Sequence, residues 1–99
     1  LAKRLCEMSG LQRVFFGNSG TEVTEAAIKM MHSHGNRISA AKHEVIALDH
    51  SFHGRTIGSV SITGQPKYRK DFEPVMPGAK WVPAGDIAAL EAAVNENTC

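Results

Sequence analysis

Residues 14–22 read VFFGNSGTE, an apolar run followed by a glycine-flanked polar cluster. The pattern predicts a buried strand that stops at Gly17 and opens into a helix near Gly20. Backbone N–H groups at a helix start have no partner within the helix, and the helix dipole is positive there. Ser19, Gly20 and Thr21 therefore offer a seat for a phosphate group. By spacing alone the pattern also fits an ordinary helix cap, and it matches neither a Walker loop nor GxGxxG.

Helix and strand patterns alternate along the rest of the chain. The helix that begins near Gly20 is predicted to run to His34, to end at Gly35-Asn36, and to bury a stripe of Val23, Ala26, Ala27, Met30 and Met31. The other predicted elements are a first helix ended by Gly10, strands at 13–16, 45–48 and 80–82, a short helix at 56–62, a long surface loop at 64–78, and a last helix capped by Asp86 with Ile87, Leu90 and Val94 facing inward. Strands that alternate with helices predict an α/β fold with a mostly parallel sheet.

The composition is that of one small globular domain, with 99 residues of which 42% are hydrophobic. A net charge of +1 gives no indication of a nucleic-acid partner. No apolar run has the length of a membrane span, and no leader pattern begins the chain, so we expect neither a membrane partner nor secretion. Cys6 and Cys99 are far apart, which argues against a disulfide scaffold and fits the reducing cytoplasm.

The five histidines invite a metal hypothesis, which the spacing does not favour. His32 and His34 are predicted to lie on different helix faces, and the pair His50 and His53 has only Asp49 as a nearby carboxylate. Zinc sites need three or four ligands at set spacings. We therefore predict no metal site.

A second polar loop, residues 49–55, follows the predicted strand at 45–48. In α/β sheets ligands bind outside the carboxyl ends of the strands, where this loop and residues 17–21 both lie. An exposed Phe52 could stack on a flat heterocycle, and Arg55 could bind a carboxylate through two parallel hydrogen bonds. The alternatives are that Phe52 is a core residue and that Arg55 is a surface charge.

Together the two loops resemble a specific family. The stretch FGNSGTE at 16–22, followed by EAAIK at 25–29, resembles the cofactor-binding strand, turn and helix of class III aminotransferases. The stretch SFHGRTIG at 51–58, followed by TGQPKY at 63–68, is similar to the acetylornithine branch of that family. Gly17 replaces a cysteine that is common in relatives, and Val23-Thr24 replaces Ala-Asn, and we expect neither change to touch a ligand contact.

The resemblance implies pyridoxal 5′-phosphate (PLP) bound in a fold type I large domain, with αβα layers of which this chain holds an incomplete part. It implies that Ser19, Gly20 and Thr21 hold the cofactor phosphate, that Phe52 stacks on the pyridine ring, and that His53 lies beside that ring without a role in proton transfer. It implies that Arg55 binds the α-carboxylate of the amino-acid substrate. It implies also a homodimer that acts on small amino-acid and 2-oxo-acid substrates.

No lysine of the chain matches the Schiff-base lysine of the family, and no catalytic residue is expected within residues 1–99. That lysine, and the carboxylate that faces the pyridine nitrogen, lie downstream in the family. We therefore expect residues 1–99 to be an internal fragment of the large domain that is inactive alone. The function implied for the parent protein is acetylornithine aminotransferase, with N-acetylornithine and 2-oxoglutarate as substrates in arginine biosynthesis. The alternatives are a succinylornithine, ornithine or 4-aminobutyrate aminotransferase, or a truncated, non-catalytic module that binds a phosphate ligand.

Overall fold

Two short parallel strands organise the packing of the helices. The computed structural model describes residues 1–99 without a gap. In chain order the elements are α1 (Ala2–Ser9), α2 (Gly20–Ile38), β1 (Val45–Leu48), α3 (Ile57–Ile62), β2 (Ala79–Val82) and α4 (Ile87–Ala93). The strands β1 and β2 pair in parallel, with Val45 opposite Ala79 and Leu48 opposite Val82. The predicted α/β fold with a parallel sheet is therefore confirmed. No helix combines the length and the apolar character that crossing a membrane would require.

The hydrophobic core lies between α2, β1 and α3. Its buried cluster has four members: Ile28, Val45, Ala47 and Ile62. The predicted stripe along α2 is largely wrong, because Val23 and Met30 are 40% and 57% exposed and Ile28 is the buried apolar side chain of this helix. An apolar helix face is buried only where another layer lies opposite, and two strands cover only part of α2.

The predicted end of α2 at Gly35-Asn36 is also wrong, because the helix continues to Ile38 and is capped by Ser39. Gly35 is buried inside the helix, and a Cβ atom there would overlap the backbone oxygen of Lys42 and the side chain of Cys99. The glycine thus permits close approach between α2 and the segment that leads into β1. A glycine that stops a helix and one that allows close packing have the same sequence signature.

Residues 13–16 do not form the predicted strand, and the side chains of Phe15 and Phe16 are exposed. A strand needs a neighbour to pair its backbone groups, and β1 and β2 pair only with each other within this chain. The inward orientation predicted for Ile87, Leu90 and Val94 is also wrong, because too little of the chain lies opposite them. These three residues are exposed, because α4 packs mainly against the short strand β2.

The predicted surface loop at 64–78 is more ordered than expected. It contains two 3₁₀ turns, Pro66–Tyr68 and Lys70–Phe72. Between them, Arg69 donates a hydrogen bond of 2.5 Å to the Thr63 oxygen and places its guanidinium 3.9 Å from the centre of the Trp81 ring. The Trp81 indole N–H in turn donates to the Ile62 oxygen at 3.0 Å. The loop is therefore fastened to the C-terminal end of α3 and to β2.

Candidate functional site

The two predicted ligand-binding loops meet at one open cleft of about 610 Å³. Eight residues line it: Gly20, Thr21, Thr24, Phe52, His53, Gly54, Arg55 and Thr56. Five of the six predicted site residues are in this set, and the sixth, Ser19, adjoins it as the cap of α2. Thr24, where the chain departs from the family pattern, also lines the cleft.

The start of α2 presents free hydrogen-bond donors to this cleft. The Ser19 hydroxyl accepts a 3.4 Å hydrogen bond from the Glu22 N–H, and the Glu22 carboxylate accepts one of 2.5 Å from the Asn18 N–H. The first backbone N–H groups of α2 that have acceptors are those of Glu22 and Val23. The N–H groups of Gly20 and Thr21 remain without a partner, at the positive end of the helix dipole. An anion is the ligand that such a site favours.

The Thr21 hydroxyl is occupied by contacts within the protein. Its oxygen lies 2.7 Å from the Ser59 hydroxyl, to which it donates, and 3.0 Å from the Thr56 hydroxyl. The Thr56 hydroxyl donates its own proton to the Glu25 carboxylate at 2.5 Å. The Ser59 hydroxyl donates to the Thr21 backbone oxygen at 3.3 Å. Since a hydroxyl has one proton, that of Thr21 is directed towards α3. Thr21 therefore offers the cleft its backbone N–H as a donor, while its side chain holds α2 against α3.

Glu25 caps α3 from a neighbouring helix. Thr56, the N-cap residue, makes no side-chain hydrogen bond to the start of its own helix. Instead the Ser59 N–H donates to the Glu25 carboxylate at 3.1 Å, the same oxygen that accepts the Thr56 proton. Sequence reasoning placed Glu25 within a family pattern but assigned it no contact, because nothing local connects two residues 34 positions apart.

The loop at 52–55 is hydrogen-bonded to the C-terminal end of α3. The His53 N–H donates to the Thr63 hydroxyl at 3.1 Å, and Thr63 is fully buried and donates to the Ser59 oxygen at 3.0 Å. Gly54 adopts a φ of 130°, a conformation that side chains disfavour. The His53 side chain lines the cleft and also an apolar cavity of about 380 Å³ between α2 and β1.

Arg55 carries an unpaired positive charge at the cleft. Neither of the two ion pairs of the chain, Lys3–Glu7 and Lys80–Glu44, includes it. Its guanidinium lies 5.6 Å from the centre of the Phe52 ring and 4.8 Å from that of Tyr68. Phe52 is 53% exposed, so the alternative that it is a core residue is wrong. The guanidinium of Arg55 can bind a carboxylate through its free N–H groups. The exposed Phe52 ring beside it can stack on a flat ring. The pair therefore suits ligands that bring a carboxylate and a flat ring close together.

One ionisable group outside this cleft, Glu44, has a lowered pKa. Hydrogen bonds from Lys80, at 2.6 Å, and from Asn95, at 2.8 Å, hold the pKa of the Glu44 carboxyl below its ordinary value. Glu44 immediately precedes β1, and its backbone pairs with Thr98. This group therefore joins the end of the chain to the sheet and has no part in the cleft.

Comparisons with a family model and with individual proteins identify the same family. The model of the family described as aminotransferase class-III matches residues 1–99. The chain is 50% identical over 100 residues to an acetylornithine aminotransferase of Neisseria meningitidis serogroup A, covering all of this chain and 25% of that protein. It is 43% identical to a succinylornithine transaminase/acetylornithine aminotransferase of Pseudomonas aeruginosa, with the same coverage. The chain thus spans about a quarter of the length of these curated relatives.

Solved structures give the same result for the fold. An ornithine aminotransferase of Toxoplasma gondii superposes with a TM-score of 0.81 at 29% identity, over 93% of this chain and 22% of that one. PLP partially occupies the active site of that ornithine aminotransferase. The arrangement of α2, β1, α3 and β2 is therefore an arrangement that occurs within a complete transaminase.

Proposed function

Because this chain belongs to the class III aminotransferase family, we propose that residues 1–99 are a segment of the PLP-binding large domain of an acetylornithine aminotransferase. The observation that carries the proposal is the shared cleft. The free N–H groups of Gly20 and Thr21, the exposed ring of Phe52 and the unpaired cation of Arg55 all border it. Each feature alone is common, and their convergence on one cleft is what supports a specific ligand.

The donor set fits the chemistry of PLP. Its phosphate is an anion that suits two unpartnered N–H groups at a helix start. Its pyridine ring is flat and suits an aromatic face such as that of Phe52. A Cβ atom at Gly20 would meet no atom within 4 Å, so the space beside the Gly20 Cα is open. PLP is accordingly the cofactor of the proposed enzyme.

In the proposed mechanism, this chain binds and orients the reactants. The N–H groups of Gly20 and Thr21 would hold the phosphate, and Ser19 keeps the helix start in place through its bond from the Glu22 N–H. Phe52 would stack on the ring, His53 would border it without moving a proton, and Arg55 would bind the α-carboxylate of the amino-acid substrate; all three residues line the cleft. When bound, PLP supplies an electron sink that stabilises negative charge on the substrate. The lysine and the carboxylate that complete this chemistry belong to parts of the protein outside residues 1–99.

The proposed reaction is reversible amino transfer between the terminal amine of N-acetylornithine and 2-oxoglutarate. Support comes from the name of the Neisseria relative, which is 50% identical to this chain. The Pseudomonas relative named for both acyl-ornithines makes succinylornithine the second candidate substrate. We propose further that the enzyme is a cytoplasmic homodimer with neither nucleic acid nor membrane as a partner. The separated cysteines, Cys6 and Cys99, both free thiols, support the reducing compartment.

The test is an assay of the complete protein that carries this chain. We expect PLP-dependent amino transfer to 2-oxoglutarate from N-acetylornithine, with kcat/KM at least as high as from succinylornithine, ornithine or 4-aminobutyrate. A higher value with succinylornithine would reassign the substrate within the family. PLP binding without any transfer would favour the non-catalytic module, and absence of PLP binding would contradict the proposal.

A further inference from the structure

Tyr68 lies against the guanidinium of Arg55, although the two residues belong to different loops. The Arg55 carbon Cζ is 4.8 Å from the centre of the Tyr68 ring, closer than the 5.6 Å that separates it from the Phe52 ring. The two rings meet edge to face, with centres 5.6 Å apart and planes at 74°. Arg55 is therefore bordered by two aromatic rings that also contact each other.

The backbone turn that carries Tyr68 is held in place independently of Arg55. Tyr68 ends a 3₁₀ turn in which its N–H donates to the Gln65 oxygen at 3.1 Å. The Gln65 side chain donates to the His50 oxygen at 3.0 Å, which ties the turn to the loop that carries Arg55. On the other side, Arg69 is fixed by its hydrogen bond to Thr63. The turn is fastened at both ends, so the Tyr68 ring projects from a fixed backbone.

An aromatic ring on a fixed backbone restricts how a guanidinium packed against it can lie. Arginine has a long flexible side chain, and its bidentate bonding to a carboxylate requires a defined plane. A cation held against a ring face keeps its N–H edge available. We propose that Tyr68 is a positioning residue, which orients the Arg55 guanidinium for the α-carboxylate of the amino-acid substrate. This inference rests on the role of Arg55 in the proposed function.

The experiment compares Tyr68→Leu, Tyr68→Phe and Lys67→Met in the complete enzyme. Tyr68→Leu removes the ring and is expected to raise KM for the amino-acid substrate roughly three- to tenfold, with kcat and the PLP dissociation constant retained. Tyr68→Phe keeps the ring face and is expected to keep KM. Lys67→Met is the matched control, since the Lys67 ammonium lies over the same ring at 4.9 Å and Lys67 does not line the cleft. Tyr68→Met replaces Tyr68→Leu if the leucine variant does not fold.

A double-mutant cycle with Arg55→Lys separates this inference from the function on which it rests. If Tyr68 acts through Arg55, Tyr68→Leu has little further effect on KM in the Arg55→Lys background. A raised KM in Arg55→Lys but not in Tyr68→Leu, or additive effects of the two changes, would overturn the inference alone. An unchanged KM in Arg55→Lys would remove Arg55 from the substrate site and overturn both. Loss of PLP affinity in Tyr68→Leu without a change in KM would show that the ring supports Phe52 instead.

Discussion

Gly54 lies against Thr21 so closely that a Cβ atom at position 54 would overlap the Thr21 hydroxyl oxygen. This contact joins the loop that carries Phe52 and Arg55 to the helix start that offers its N–H groups to the cleft. Two loops that are separate in the sequence thereby form a single wall. The spacing between the proposed phosphate seat and the proposed ring contact depends on the absence of a side chain at this position.

Gly54→Ala is expected to weaken PLP binding in the complete protein. The change introduces an overlap with Thr21 and places a side chain at φ 130°, where strain costs about 1–3 kcal/mol. Gly85→Ala is the matched control, because Gly85 also has a positive φ, 83°, but open space around it. Both variants should lose stability in thermal unfolding, and Gly54→Ala alone should raise the PLP dissociation constant. Equal PLP affinities in the two variants would contradict the claim that the contact between Gly54 and Thr21 shapes the cofactor site.

Glu25→Ala is expected to destabilise the protein although Glu25 lies outside the cleft lining. The change leaves the N–H of the fully buried Ser59 without an acceptor, which costs about 1–3 kcal/mol of the free energy of unfolding. Glu91→Ala, on the exposed face of α4, is the control and should be nearly neutral. Urea unfolding measures both. A Glu25→Ala variant as stable as Glu91→Ala would mean that the cap on α3 is not made in solution.

Features that depend on neighbouring residues could be predicted from the sequence, whereas contacts between distant elements could not. The Ser19 cap, the Asp86 cap and the two strands follow from local patterns, and the structure confirms them. The meeting of the two loops follows from the rule that ligands bind at the carboxyl ends of parallel strands. The Glu25 cap and the contact between Arg55 and Tyr68 join residues of different elements, and no local pattern marks such pairs.

The wrong predictions have physical causes of the same kind. Gly35 does not end the helix. Its lack of a side chain instead lets the helix pack closely against the backbone of Lys42. Residues 13–16 have the composition of a strand, but strand formation depends on a partner that no local pattern encodes. Apolar residues such as Ile87 and Met30 are exposed because burial depends on what lies opposite. Periodicity therefore predicted the helices and the strands β1 and β2 better than it predicted which of their residues are buried.

Phe52→Ala is expected to weaken retention of PLP. Stacking of the ring contributes about 0.5–1.5 kcal/mol beyond the area it buries, so the dissociation constant should rise several-fold or more. Phe72→Ala is the control, since Phe72 is 61% exposed and borders no part of the cleft. Equilibrium titration followed by cofactor absorbance measures the change. An unchanged dissociation constant in Phe52→Ala would exclude the ring from the cofactor site.

Glu44 is expected to make stability depend on pH in the acid range. Its pKa is lowered in the folded state, mainly by the hydrogen bond from Lys80, so its contribution is complete above the ordinary value of 4.5. The contribution is lost as the pH falls through the lowered pKa of the folded state. The difference in unfolding free energy between the native protein and Glu44→Gln should therefore shrink below pH 4.5. A difference that stays constant from neutral to acid pH would contradict this role.

The most direct test of the phosphate seat removes a single N–H group. Proline is tolerated at the first position of a helix, and Ser19 before it is already extended, so Gly20→Pro deletes the Gly20 N–H and keeps the helix. Gly20→Ala adds a side-chain atom and keeps the N–H. The measurement is the PLP dissociation constant of both variants in the complete protein. We predict that Gly20→Pro binds PLP about tenfold or more weakly than Gly20→Ala, the loss expected for a hydrogen bond to a charged group. Equal dissociation constants would contradict the claim that the start of α2 holds the cofactor phosphate.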